Sequence, residues 1–169
     1  MAKHIFSGTA APATAPAGIG HHYINTTDKT AYVSVGTSSA DDWKRDDSSV
    51  YVIHTVINGN GAEITTGIVK GADFTVPVDV TITDWKIFAG DDVTGSIVVD
   101  IWSDTYANYP PDVSDTITGS DKPTISSDVK AEATLGTPWD ISAGQILRYN
   151  VDSIDTIQVA ILELIGVRT

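Results

Sequence analysis

The chain has 169 residues, 41% of them apolar, with no cysteine and with 22 acids against 10 bases for a net charge of -12. That length supports one domain with a true core and a small appendage, while the composition excludes disulfides and thiolate metal sites. The acidic balance repels phosphate backbones and argues against nucleic acid as a partner.

No apolar run approaches the roughly 18 residues of a membrane span, and the opening "MAKHIFSG" lacks the apolar stretch of a secretory signal. No membrane insertion is expected. Residues 7 to 18, "SGTAAPATAPAG", follow; Pro12 and Pro16 withhold backbone donors and favour extended chain. This strip reads as a linker or a surface-hugging segment. The pair Ile5-Phe6 before it is either an anchor in a partner's groove or a frayed terminus. The strip is expected to find no burial within its own chain.

"HYIN" and "AYVSV" then alternate side chains around the polar turn "TTDKT". They predict a β-hairpin with a loop of the three-to-five-residue class and Tyr23 opposite Tyr32 or Val33. Trp43 is placed to fold back over one face. His21 and His22 point to opposite faces of a strand, so one metal ion does not easily take both, and no metal is expected.

From about residue 46 onward the pattern is β throughout. "VYVIHTVI" is an apolar strand and "NGNGAE" a turn. "ITTGIV" and "DFTV" are interrupted by glycines. In "VDVTITDWKIFA" the apolar phase moves from even positions (Val78, Val80, Ile82) to odd ones (Trp85, Ile87, Ala89), which predicts a bulge near Thr83-Asp84. "SIVVDIWS" puts Ile97, Val99 and Ile101 on one face, and "ILRYNVDS" and "TIQVAILELIGV" are late strands. "SSDVKAEAT" could form at most a turn or two of helix. The fold class is therefore all-β: an extended strip and hairpin over residues 1–45, then an antiparallel sandwich or jelly roll over residues 46–169. Its expected core is Val50, Val52, Ile82, Trp85, Ile87, Ile97, Val99, Ile101, Ile146 and Ile157.

Catalytic motifs are weak. Ser127-Asp128-Val129-Lys130 fits S-x-x-K, a spacing common by chance, without its companion motifs. No nucleophile elbow, phosphate loop, zinc-protease or EF-hand pattern occurs, so no enzyme activity and no cofactor are expected. Asp84 and Asp100 are expected on the exposed face of half-buried strands, and His54 to be an ordinary hydrogen-bonded histidine. The cluster Trp102, Tyr106 and Tyr109 in "DIWSDTYANYPPD" is the best small-ligand candidate, because aromatics beside carboxylates stack sugar rings and bind their hydroxyls. Its alternative is packing: Trp102 in the core, with the Tyr-Pro-Pro loop against it or a neighbouring subunit.

Two stretches carry a resemblance. "AP…GIGHHYINTTDKTAYVSVGTSSADDW" resembles the hairpin modules of tailed-bacteriophage fibre and head-decoration proteins. "GSIVVDIWSDTYANYPP", within a stretch from "ITTGIVKG" to the close "ISAGQILRYNVDSIDTIQVAILELIGVRT", looks like a β-rich domain of phage virion proteins. The resemblance implies a virion structural protein, often trimeric, with no catalytic residues to carry over. The expectation is a capsid decoration or short head fibre on the outer virion surface, since a tail fibre normally needs a long shaft. Lys3, His4, Ile5 and Phe6 would contact the major capsid protein. The Tyr23, Tyr32 and Trp43 surfaces would meet in a homotrimer. The alternative is a tail-associated receptor-binding protein whose sandwich grips a host surface glycan through Trp102, Tyr106 and Tyr109.

Overall fold

The structure, a computed structural model, describes residues 5–27, 29–45 and 50–169. It divides into two compact units, Met1–Ser49 and Val50–Thr169.

The N-terminal unit is one sheet of β1 (Ile5–Gly8), β2 (His22–Asn25), β3 (Thr30–Ser34) and β4 (Trp43–Arg45), in that spatial order. The hairpin forms as its alternation predicts, with Tyr23 opposite Tyr32. β4 returns antiparallel, with Ser34 opposite Trp43. A single 3₁₀ turn, Ala40–Asp42, leads into it, and Ser39 and Asp42 cap that turn reciprocally. β1 is parallel to β2. Parallel neighbours need a crossover of a dozen or so residues, and the Pro/Ala-rich strip is that crossover.

The C-terminal unit holds nine strands: β5 (Val50–Asn58), β6 (Gly67–Ile68), β7 (Phe74–Thr75), β8 (Val80–Ala89), β9 (Gly95–Thr105), β10 (Thr124–Asp128), β11 (Lys130–Ile141), β12 (Gln145–Asp155) and β13 (Val159–Arg168). One sheet runs β11-β8-β13-β5 and the other β10-β9-β12-β6, with β7 also on β12. Every pairing is antiparallel. If β6 and β7 are counted as one interrupted strand, the chain visits the two sheets in the order of a jelly roll. Pairing the first strand with the last closes the roll: Val50 lies opposite Val167 and Asn58 opposite Val159.

Ile82, Trp85, Ile87, Ile97, Val99, Ile101, Ile146 and Ile157 are buried as the alternation predicts, and Tyr149, Leu162 and Leu164 join them. The predicted bulge is present. Asp84 lies opposite Ile165 and Ile82 opposite Gly166, so Thr83 is an extra residue on β8.

Two core assignments are corrected. Val50 and Val52 are 55% and 50% exposed, and it is Ile53 and Ile57 that are buried. "VYVIHTVI" is apolar in both phases, so periodicity could not choose between them. The register against β13 chooses, by setting Ile53 beside Leu164. The stretch "SSDVKAEAT" allows at most a turn or two of helix by its sequence. It contains the end of β10 and the start of β11 and no helix. Alternate residues Val129, Ala131 and Ala133 pack on the core, and burial outweighs the helix propensity of the alanines.

Candidate functional site

Two places hold the residues singled out from the sequence. The first is the aromatic face of the N-terminal unit. Tyr23 stands edge-on to Tyr32, centroids 6.3 Å apart, and tilted against Trp43 at 5.8 Å. The strip crosses this cluster and is held by its carbonyls. The Tyr23 hydroxyl donates to Ala10 O at 3.1 Å and Trp43 Nε1 to Thr14 O at 3.0 Å. Thr26 and Thr27 hydroxyls donate to Gly8 O and Thr9 O, and Ser34 Oγ donates to Gly18 O at 2.6 Å. The expectation that the strip has no burial within its own chain is therefore overturned. Prolines remove donors from a segment but leave every acceptor, and the hairpin supplies side-chain donors to match. Pro16 is buried, and an open groove of about 290 Å³ remains between the strip, Phe6, Tyr23 and Trp43.

Of the four residues assigned to attachment, Lys3 and His4 lie outside the described residues. Ile5 is 57% exposed at the sheet edge. Phe6 is half-buried with its ring 5.4 Å from that of His21. His21 is buried and His22 exposed, so the two do separate onto opposite faces.

The second place is the loop that follows β9. The sequence cluster of three aromatics is split here. Trp102 is buried at 8% exposure, whereas Tyr109 is 49% and Tyr106 80% exposed. Trp102 faces away from the core, but residues 116–123 run along the β9 edge and close over it. Thr116 bridges to Trp102, Ile117 N donates to Ile101 O, and Val99 N donates to Pro123 O. Tyr109 is fixed rather than free. Its hydroxyl donates to Asp73 Oδ2 at 2.8 Å, and Arg148 reaches both Asp73 oxygens at 3.0 and 2.6 Å. The guanidinium also lies 5.1 Å from the Tyr109 ring centroid. Hydrogen bonding to Arg148 holds the Asp73 carboxyl below the usual range despite partial burial. Donating its hydrogen bond to the Asp73 carboxylate raises the Tyr109 phenol. Tyr106 projects from a 3₁₀ turn, Tyr106–Asn108, next to Asp104, which binds Thr105 N and Asn108 Nδ2.

Beneath this loop is a residue that alternation misplaces. Asp100 was expected on an exposed face and is 2% exposed. The hydroxyls of Thr116 and Thr118 both donate to its Oδ1 at 2.6 Å, and Lys122 Nζ lies 3.0 Å from Oδ2. Lys122 also binds Asp152 at 2.6 Å. Burial pushes the Asp100 carboxyl up, but the bonds from Thr116, Thr118 and Lys122 outweigh it and the net direction is down. Asp100 therefore stays charged and pins the loop that carries the exposed tyrosines. The sequence signal that could have found it is "TITGSDK", two threonines and a lysine at same-side spacing opposite an aspartate in an apolar strand.

Asp84 is half-buried, as a partner of Thr83 and Thr134. His54 is exposed on β5. Ser127 and Lys130 sit on two different strands, with Ser127 in the left-handed region at φ 50°, so the helical spacing of an S-x-x-K dyad is absent. Among the described residues no group of three or more His, Asp or Glu is placed to hold a metal ion, and no helix is long and apolar enough to cross a membrane.

No family model matches the chain, and no curated protein matches it. Among solved structures, a chain from the structure of infectious bursal disease virus Gx strain is similar at 15% identity and a TM-score of 0.27, over 75% of this chain and 35% of that one. This chain therefore spans about a third of the length of that neighbour.

Proposed function

We propose that this protein is a structural component of a tailed-phage virion: a capsid decoration or short head fibre on the outer surface. In this reading the Met1–Ser49 unit binds the major capsid protein and the jelly roll is the displayed part. The observation that carries the reading is the division of labour in the chain. A small sheet with an exposed edge, β1, is separate from a larger unit with its own complete core. An edge strand with Ile5 exposed suits strand addition to a partner, and the jelly roll is a fold that viral capsids use, which is an analogy at the level of fold alone. Threefold contact belongs to the same proposal, through the faces of Tyr23, Tyr32 and Trp43 that the strip leaves half-open. Three weak contacts held together would multiply affinity by about a hundredfold or more.

Because the strip is part of the sheet, removing it would also uncover Tyr23 and Trp43. A cleaner test substitutes Ile5→Lys, which alters the edge and leaves the docked strip in place. Occupancy on undecorated capsids should fall at least tenfold, while the melting temperature of the jelly roll stays unchanged. Wild-type occupancy by Ile5→Lys, and by a second variant lacking residues 1–49, would place attachment elsewhere and end this reading.

The second reading is a tail-associated protein that binds a host surface glycan. It is favoured by the exposure of Tyr106 beside Asp104, Asn108 and the clamped Tyr109, a flat ring with polar neighbours on a fixed loop. On a glycan array the wild-type chain should then bind sugars that Tyr106→Ala does not. An array with no wild-type signal removes the glycan reading and leaves the capsid one intact.

A further inference from the structure

The jelly roll has open sheet edges, and unpaired edges invite pairing unless they are blunted. Three of them are. β11 carries Lys130 and Glu132, a proline at Pro138 and a register irregularity between Thr134 and Trp139. β10 is broken by a register shift and by Ser127 at positive φ. β6 and β7 are two residues each. β5 has none of these devices. It is nine residues long, regular along its whole ladder, without proline, and free of Asp, Glu, Lys and Arg in a chain of net charge -12. Among the described residues no strand pairs with its outer edge.

The backbone phase of that edge is determined. Gly59 N donates to Gln158 O across the ladder from β5 to β13. Antiparallel strands point successive residues' N–H and C=O groups alternately to either side. The odd residues of β5 therefore bond β13, and Val50, Val52, His54, Val56 and Asn58 turn their backbone groups to the open edge. The same residues put exposed side chains on the outer face, with Val50, Val52 and Val56 exposed by 55, 50 and 47%.

We propose that the occupant of this edge is β5 of a second copy, paired antiparallel about a twofold axis at His54. "VYVIHTVIN" is close to self-complementary about that residue. Val52 meets Val56 of the second copy, Val50 meets Asn58, and Ile53 lies beside Thr55. All the edge-facing residues are even-numbered and fall opposite even-numbered ones, so each donor finds an acceptor and no register slip is needed. Polar side chains are also placed together. Glu163 lies opposite His54 on β13, so the central row of the joined sheet reads Glu163–His54–His54–Glu163, two imidazoles between two carboxylates. The two sheets β11-β8-β13-β5 become one continuous sheet, with an apolar outer band that Ile161, Ile165 and Val167 extend. The twofold pairing uses residues of the Val50–Thr169 unit alone.

The chain has no cysteine, so introduced thiols report on geometry without background. Hydrogen-bonded antiparallel partners have Cα atoms about 5.5 Å apart, within disulfide range. Under mild oxidation of the full chain at micromolar concentration, His54→Cys should give a disulfide-linked dimer as the main band on a non-reducing gel. Val50→Cys should not, because it faces Asn58 of the other copy, and the double variant Val50→Cys/Asn58→Cys should. By light scattering, His54→Pro should halve the wild-type mass, since the lost N–H serves only the open edge; an unchanged circular dichroism spectrum shows that the fold is kept. Val52→Lys/Val56→Lys should halve it too, with the backbone untouched. A monomeric wild type, an unlinked His54→Cys, equal linking by Val50→Cys, or an unchanged mass in Val52→Lys/Val56→Lys would each overturn the proposal.

Discussion

Replacing Asp100 with alanine should lower stability by about 3 kcal/mol, the low end of the cost of removing one partner from a buried ion pair. The low end applies because Lys122 keeps Asp152, so no cation is left wholly unpaired. The hydroxyls of Thr116 and Thr118 do lose their acceptor. For a chain of this size the melting temperature should fall by roughly 6–12 °C, and residues 116–123 should become the first site of proteolytic nicking. The effect has a definite pH dependence. Since the folded carboxyl titrates below its unfolded value, its contribution is fully present above about pH 4 to 5 and disappears as pH falls through the folded value. Wild type and Asp100→Ala should thus differ most near neutrality and converge in acid. Denaturant melts at pH 7 and pH 3 check this. An equal difference at both pH values would mean that Asp100 acts through packing and not through its charge.

Gly166→Ala should be costly for a different reason, although it adds one methyl group. Gly166 lies on β13, between β8 and β5, at the point where Thr83 bulges out of β8. A Cβ there would fall 2.8 Å from Ile82 Cα and closer still to Thr81 O, both backbone atoms. Backbone cannot swing aside as a side chain can, so the two strands must separate. Overpacking usually costs about 1–3 kcal/mol, and this variant belongs at or above the top of that range. Gly136→Ala serves as the control, because nothing lies within 4 Å of its added Cβ. Chemical melts of the two proteins should differ by about 3 kcal/mol; equal midpoints would show that the β8 bulge relaxes to admit a side chain.

The bulge itself was legible. A change of apolar phase from Ile82 to Trp85 within one strand has few other meanings, and Thr83 is the extra residue. The need for glycine opposite it was not legible, because nothing in "ELIGVR" says which residue of another strand will approach. The hairpin was legible for the same reason as the bulge: Tyr23 and Tyr32 are set in register by a short turn. The strip was misread because composition reports what prolines lack and not what the rest of the chain can donate to them.

Period-two alternation and turn chemistry thus determined the all-β class and most of the core, since these depend on residues near one another in sequence. Tertiary structure alone decided three things. It chose the buried phase of β5, where both phases are apolar and the buried Leu164 and Ala160 across the ladder select Ile53 and Ile57. It buried Trp102 and Asp100 under residues 116–123, which alternation assigns to the outer face because that pattern sees a strand's two sides and not what later crosses them. It also left β5 as the unguarded edge, because which strand ends a sheet follows from the order of all its strands and from no single segment.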